Sequence, residues 1–159
     1  MKAYEAPWST SLLIISSAAT LVCVSIVAAI AWNAHRFTWE AMLPLAIVFG
    51  GALFTVRGYA ISPDAILVHR LFWTTHVPLA GLQSAEFESE ARCGGFRICG
   101  NGGLFSFTGF FWNKNLGTYR AFVTDFNRAV VLRFPERTIV VSPAEPEDFV
   151  REVNATTHG

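Results

Sequence analysis

Two charge-free stretches constrain this chain more than anything else in it: no Asp, Glu, Lys or Arg stands between Pro7 and His35, and none between Glu40 and Arg57. The first run, Ser11 to Trp32, holds ten Leu, Ile and Val residues. Near the centre of a bilayer each of these favours insertion by about 0.3–0.6 kcal/mol, and at ~1.5 Å per residue the run reaches across a hydrocarbon core of ~30 Å. Trp8 and Trp32 mark its two ends, where amphipathic rings prefer the headgroup level. The second run, Ala41 to Val56, is shorter, about 24 Å as a helix, and carries Pro44. Trp39 extends it outward and Arg57 can snorkel, while Gly50-Gly51 permits close approach to Ser25, Ala28 and Ala29 of the first run.

The competing readings are a cleaved signal peptide for the first run and a buried core helix for the second. A signal peptide is disfavoured because the run is long, Glu5 accompanies Lys2, and another apolar run follows instead of a mature domain. The expectation is a transmembrane helical hairpin over residues 1–57, with spans at about 10–32 and 39–56, joined through Asn33 to Glu40. Its membrane-interface anchors are Trp8, Trp32, Trp39 and Arg57. Lys2, Arg57 and Arg70 flank the side shared by both termini, against Arg36 alone in the hairpin loop. The positive-inside rule therefore puts both termini and the following domain in the cytoplasm.

Beyond Arg57 the pattern changes to short alternating runs broken by turn residues, which reads as an antiparallel β domain over residues 58–159. The strands expected are Gly58 to Ile61, Ala65 to Leu71, Thr74 to Pro78, Leu82 to Glu90, Phe96 to Cys99, Phe105 to Trp112, Thr118 to Thr124, Ala129 to Phe134 and Thr138 to Val141. Ser62-Pro63-Asp64, Asp125 to Arg128 and Pro135-Glu136-Arg137 supply turns. A C-terminal helix at about 143–154 follows, with Ser142 and Glu145 as a capping box, Pro143 at the first helical position, and Phe149, Val150 and Val153 as its apolar stripe. A run of about seven strands followed by one C-terminal helix is what a pleckstrin-homology-like (PH-like) barrel needs.

The β region holds nine Lys/Arg against ten Asp/Glu. That balance argues against a nucleic-acid module, whose phosphate contacts need a basic surface. Cys23, Cys93 and Cys99 make an odd set with no zinc spacing, and read as buried small apolar side chains in a reducing compartment.

The two N-terminal runs, the opening Gly58-Tyr59-Ala60-Ile61-Ser62-Pro63-Asp64-Ala65-Ile66, the segment Gly100-Asn101-Gly102-Gly103-Leu104-Phe105, the stretch Asn113 to Gly117 with Tyr119, and Ala129-Val130-Val131-Leu132-Arg133 together resemble the bacterial PH-domain family of small membrane proteins. The resemblance implies a PH-like barrel in the bacterial inner membrane and carries no catalytic activity with it. Phosphoinositide binding does not follow, since the first hairpin connection, Ser62-Pro63-Asp64, lacks the basic residues that such ligands need.

The glycine-rich segment from Cys93 to Gly103 could cradle an anion on successive N–H groups, but it lacks both dinucleotide and P-loop spacing, and a strand-connecting turn with positive φ is favoured. Alternation past that turn buries Phe105, Phe107 and Phe111 and turns Phe110 and Trp112 outward, with Gly109 as a bulge. Those rings either fill a small core or, through Phe110 and Trp112 with Lys114 beside them, touch a membrane surface or a partner. Asn101 and Asn113 join them as candidate contacts. His35, His69 and His76 assemble with no nucleophile or metal set, and Glu86, Glu88 and Glu90 read as a solvated strand face.

The leading expectation is therefore a non-enzymatic, membrane-anchored interaction or scaffold module with no cofactor and no metal. Its partners are the bilayer and a protein, with self-association left open. The alternative is a lipid or envelope-stress sensor that uses the exposed aromatic and basic patch.

Overall fold

The computed structural model describes residues 2–34, 39–88 and 96–158. Its first helix, α1 (Thr10–Ala34), starts where the Ser9 hydroxyl accepts from the Leu12 amide at 3.2 Å, an N-cap. Thr20, Ser25 and Asn33 each donate to a carbonyl one turn back, at 2.8, 2.8 and 2.9 Å. These three polar side chains are thus satisfied within the helix, which leaves no donor of theirs to an apolar surrounding.

A 3-10 turn (Trp39–Ala41) leads into α2 (Met42–Leu53). By length and composition α1 is the one described helix long and apolar enough to cross a membrane, and α2 is a shorter apolar helix of 12 residues. Where the sequence suggests a strong first span and a shorter second one of about 24 Å, the structure holds one long helix and one that covers only about 18 Å. The second is shortened at both ends. Its first residues are spent in the 3-10 turn, and its last turn tightens as the amides of Phe54 and Thr55 reach back three residues to Gly51 and Ala52.

Ten strands form two sheets among the described residues. Strands β1 (Lys2–Glu5), β2 (Val56–Ile61), β3 (Ala65–Arg70) and β4 (Thr74–Pro78) run in that order in the first. The second holds β5 (Ser84–Phe87), β6 (Phe96–Gly102), β7 (Phe107–Asn113), β8 (Gly117–Val123), β9 (Val130–Arg133) and β10 (Thr138–Val141), in the order β5-β9-β10-β8-β7-β6. The expected closed barrel of about seven antiparallel strands is corrected in count and in closure. One pairing is corrected too, because β10 lies parallel to β8. The cause is the connection after β8: the chain skips one strand position through the 3-10 turn Phe126–Arg128, descends as β9, then turns at Phe134 to Arg137 and fills the gap as β10. Of the strand expected over Leu82 to Glu90, residues 89 and 90 lie outside the described residues, as do His35, Arg36 and Cys93.

Helix α3 (Pro146–His158) starts three residues later than its sequence signals suggest, with Pro146 in place of Pro143 at its first position. Ser142 is drawn elsewhere. Fully buried, its hydroxyl accepts from the Thr124 amide at 2.8 Å, and its own amide donates to the Tyr59 hydroxyl at 3.1 Å. Tyr59 in turn donates to the Phe122 carbonyl. Burial pushes this phenol up to about 12, so it stays a neutral donor.

Two apolar clusters follow from this plan. Tyr59, Ile66, Val68, Phe122, Leu132 and Phe149 meet between the sheets and α3. The other face of the six-stranded sheet buries Phe107, Tyr119, Val131 and Val140, and there Leu12 of α1 joins them with no exposure at all.

Candidate functional site

The site begins where the helices meet the sheets. The sequence assigns no strand to the N terminus, yet Lys2 to Glu5 pair antiparallel with β2, Glu5 opposite Gly58. The whole helical region is therefore an excursion between two adjacent strands, leaving and re-entering the sheet at one point. Lys2 and the Tyr4 hydroxyl both donate to Asp148 at the start of α3, at 2.5 and 2.8 Å, and the Tyr4 ring meets Phe149 edge-on at 5.1 Å. The hydrogen bond from Lys2, then that from Tyr4, holds the Asp148 carboxyl down at about 2.

Into the base of this excursion the β6–β7 turn inserts like a wedge. The Ser16 hydroxyl on α1 accepts from the Phe105 amide at 2.8 Å and donates to the Gly103 carbonyl at 3.3 Å. Leu104 packs on Gly51 of α2, where a Cβ would fall 2.4 Å from its Cδ2. Ser106 donates to the Phe54 carbonyl at 2.9 Å, and Trp8 lies 6.1 Å from the Phe105 ring. The wedge can form because Gly100 and Gly109 face each other at positive φ, 116° and 141°, and a Cβ on Gly109 would stand 2.2 Å from the Cys99 carbonyl oxygen. This is the turn that the glycine-rich segment signals. The ladder's register shifts between Arg97 and Cys99, beside this pair.

Beside the wedge, Arg70 at the end of β3 is only 7% exposed. It donates through Nε to Thr75 at 3.1 Å and through Nη1 to the Phe54 carbonyl at 3.0 Å, so it caps the negative end of α2. Desolvation, and after it the charge of Arg120, lowers its pKa. Both guanidiniums lie near the ring of Phe122, 5.2 and 4.9 Å from its centroid. A cleft of about 510 Å³ opens here, with Ile47, Gly51 and Phe54 on one side, Thr108 and Phe110 on the other, and both arginines in its lining.

Two exposed apolar surfaces flank this region. The β3–β4 turn carries Leu71, Phe72 and Trp73, with Phe72 71% exposed and Trp73 edge-on to Phe54 at 5.5 Å. On the sheet edge, Phe96 and Ile98 of β6 are exposed beside Phe110 and Trp112 of β7, and Phe96 meets Trp112 at 5.3 Å.

Phe110 and Trp112 thus stand outward while Phe107 and Phe111 are buried, as the alternation suggests; Phe105, expected to be buried with them, instead lies half-buried in the turn at φ 65°, before the strand begins. Lys114 is exposed in the following turn. Asn113 is fully buried, and its Oδ1 accepts from the amides of Asn115 and Leu116, which makes it a turn-former and removes it from any contact surface. Asn101 shapes the wedge by exchanging hydrogen bonds with the Leu104 backbone. Trp32 and Trp39 are both exposed at the far end of the excursion, whereas Trp8 packs on the domain and Arg57 lies in β2 with its side chain exposed. His69 contacts Thr74 at 3.2 Å, and His76 is exposed. Among the described residues no group of three or more His, Cys, Asp or Glu gathers as a metal would require.

The sequence reading does not single out the Arg70/Arg120 pair or the Leu71 to Trp73 turn. The second was signalled, since three large apolar residues at a strand connection contradict the polar character of most turns. The first was not, because residues 50 apart meet only through the two-sheet packing.

A family model described as a bacterial PH domain matches residues 57–157. No curated protein and no solved structure matches the chain.

Proposed function

Because this chain belongs to the bacterial PH domain family, we propose that it is a non-catalytic interaction module, held at the cytoplasmic face of the inner membrane by its helical excursion and offering a sheet edge to a protein partner. The observation that carries this reading is strand β6. It ends the six-stranded sheet with β7 as its one ladder partner among the described residues, and six of its seven residues are exposed. An open edge with Phe96, Ile98, Phe110 and Trp112 beside it suits a partner strand, where backbone bonds supply affinity and the side chains supply selectivity.

In this reading α1 crosses the bilayer and α2 returns, with Trp32 and Trp39 at the far interface. The excess of Lys2, Arg57 and Arg70 at the near side sets the orientation. The test is a photo-crosslinking residue placed at Ile98 in whole cells, with one at Glu147 on α3 as reference. A discrete protein adduct from Ile98 and none from Glu147 is the expected result, and adducts of equal intensity at both would sink the reading. A reporter fused after Gly159 should remain inside the cell.

The sensor alternative gains support from a different surface than the one the sequence nominates. Leu71, Phe72 and Trp73 lie beside Phe54, at the root of α2, and would meet headgroups if the excursion is embedded.

A further inference from the structure

The cleft between α2 and strands β6 to β8 combines features that a structural role leaves unexplained. One wall is apolar, made by Ile47, Gly50 and Gly51 of α2 and by Phe54 just beyond its end. The other carries two guanidiniums, and neither Arg70 nor Arg120 forms an ion pair among the described residues, although the carboxylates of Asp125, Asp148 and Glu88 are paired elsewhere. Arg70 spends Nε and Nη1 on Thr75 and Phe54. The Arg120 guanidinium has no hydrogen bond to the protein among the described residues, and is held over Phe110 and Phe122 at 5.9 and 4.9 Å. Two like charges near one aromatic ring repel, and Arg70 is nine-tenths buried. Such an arrangement is stabilised by a bound anion, and planar guanidiniums suit phosphate oxygens.

We propose that this cleft binds the headgroup of an anionic phospholipid, with Arg70 and Arg120 holding the phosphate and an acyl chain lying along Ile47 of α2 and Phe54 just beyond it. The inference rests on the reading that α2 is embedded. A lipid is favoured over a soluble phosphate compound because the cavity is walled on one side by the apolar helix, and its volume of about 510 Å³ falls in the range of small-ligand sites. The binding region lies at the end of β3 remote from Ser62-Pro63-Asp64, so the first hairpin connection takes no part. Bound lipid would also tie α2 to β8, adding to the links between helices and domain that the wedge, Leu12 and Arg70 already make.

Cys99, expected from the sequence to be buried, lines the same cleft and is exposed, which provides a probe. Full-length protein with Cys23→Ser and Cys93→Ser is reconstituted into vesicles of phosphatidylcholine alone or with 30% phosphatidylglycerol, and Cys99 is labelled with a maleimide. Phosphatidylglycerol should slow labelling by roughly ten-fold or more, and Arg120→Gln should abolish that protection while Arg120→Lys retains part of it. Equal labelling in the two vesicles, or protection unchanged in Arg120→Gln, overturns the proposal. Protection by millimolar inorganic phosphate in phosphatidylcholine vesicles, equal to that by phosphatidylglycerol, also overturns it, since the site would then take a free anion. Arg120 is exposed, so its substitution leaves the fold intact. Membrane integration and the Ile98 crosslink do not depend on Arg120, so they separate failure of the lipid site from failure of the module reading.

Discussion

Leu12→Ala, set beside Leu13→Ala, tests whether α1 is a tether or a part of the β domain. Leu12 is 0% exposed and packs with Phe107, Tyr119 and Val140, while Leu13 is 48% exposed on the side of α1 that faces away. Removing three buried methyl and methylene equivalents at about 0.8 kcal/mol each gives about 2.4 kcal/mol. The cavity left behind, in a cluster bounded by strands that cannot collapse freely, brings the expected loss to about 3–4 kcal/mol. For a chain of this size that lowers Tm by roughly 6–15 °C. Leu13→Ala, which opens no cavity in the sheet, should cost about 0.5 kcal/mol or less. Thermal unfolding of full-length protein in mild detergent, followed by aromatic circular dichroism, reads the domain. Equal Tm shifts in the two variants would show that α1 is a tether after all, and the account of the second core would have to be abandoned.

Other outcomes follow from the same contacts. Ser16→Ala leaves the Phe105 amide without its partner and should cost about 1–3 kcal/mol, whereas Ser25→Ala, whose hydroxyl bonds within α1, should be near neutral; chemical denaturation in detergent compares them. Gly109→Ala places a Cβ against the Cys99 carbonyl at φ 141° and should displace the wedge, detected as faster amide exchange at Leu104 to Ser106. The Asp148 carboxyl is depressed to about 2 from an ordinary 3.8. Its contribution to clamping β1 is therefore complete above pH 4 and lost as pH falls toward 2. Asp148→Asn should reproduce the loss at pH 7, seen as loss of exchange protection in residues 2–5. Phe72→Ser should weaken attachment of the domain surface to vesicles without releasing the protein, as measured by depth-dependent quenching of Trp73.

The strands were legible because each element is short, alternating and bounded by a recognised turn chemistry. Ser62-Pro63-Asp64 and Pro135-Glu136-Arg137 stand at turns, and nine segments are strands where period-2 alternation puts them. What local pattern cannot carry is pairing. Nothing between Ala129 and Val141 says that β10 will slip between β9 and β8 in parallel, since that depends on the length of the Asp125 to Ala129 connection relative to strand spacing. Helix α3 shows the converse. Ser142, Pro143 and Glu145 satisfy the local rule for a helix start, yet tertiary demand for a buried hydroxyl between Tyr59 and Thr124 wins, and Pro146 takes the first position. The candidate site was half visible: the glycine turn and the outward Phe110 and Trp112 follow from spacing, whereas Asn113 faces inward because its oxygen is needed by the turn it starts.

The lengths of the helices bear on where the domain sits. Leu12 and Ser16 are taken by the domain, so in the proposed membrane arrangement the part of α1 with lipid on every side runs from about Ser17 to Ala34, about 27 Å. The return limb is shorter still, with α2 ending at Leu53 and the wedge packed on Gly51. Both limbs therefore fall short of a ~30 Å hydrocarbon core on the domain side, and mismatch of this kind is relieved by thinning of the bilayer or by other apolar surface entering it. The surface available is the turn Leu71-Phe72-Trp73, adjacent to Phe54. In the proposed membrane arrangement the domain is therefore sunk to the headgroup level, not held above it on a stalk. Lengthening α2 by one turn, with Ala-Leu-Ala-Leu inserted after Val48, puts this to a measurement. If the turn compensates for a short limb, the insertion should lift Trp73 out of reach of shallow lipid quenchers; unchanged quenching would mean that the depth of the domain is set by something other than the helices.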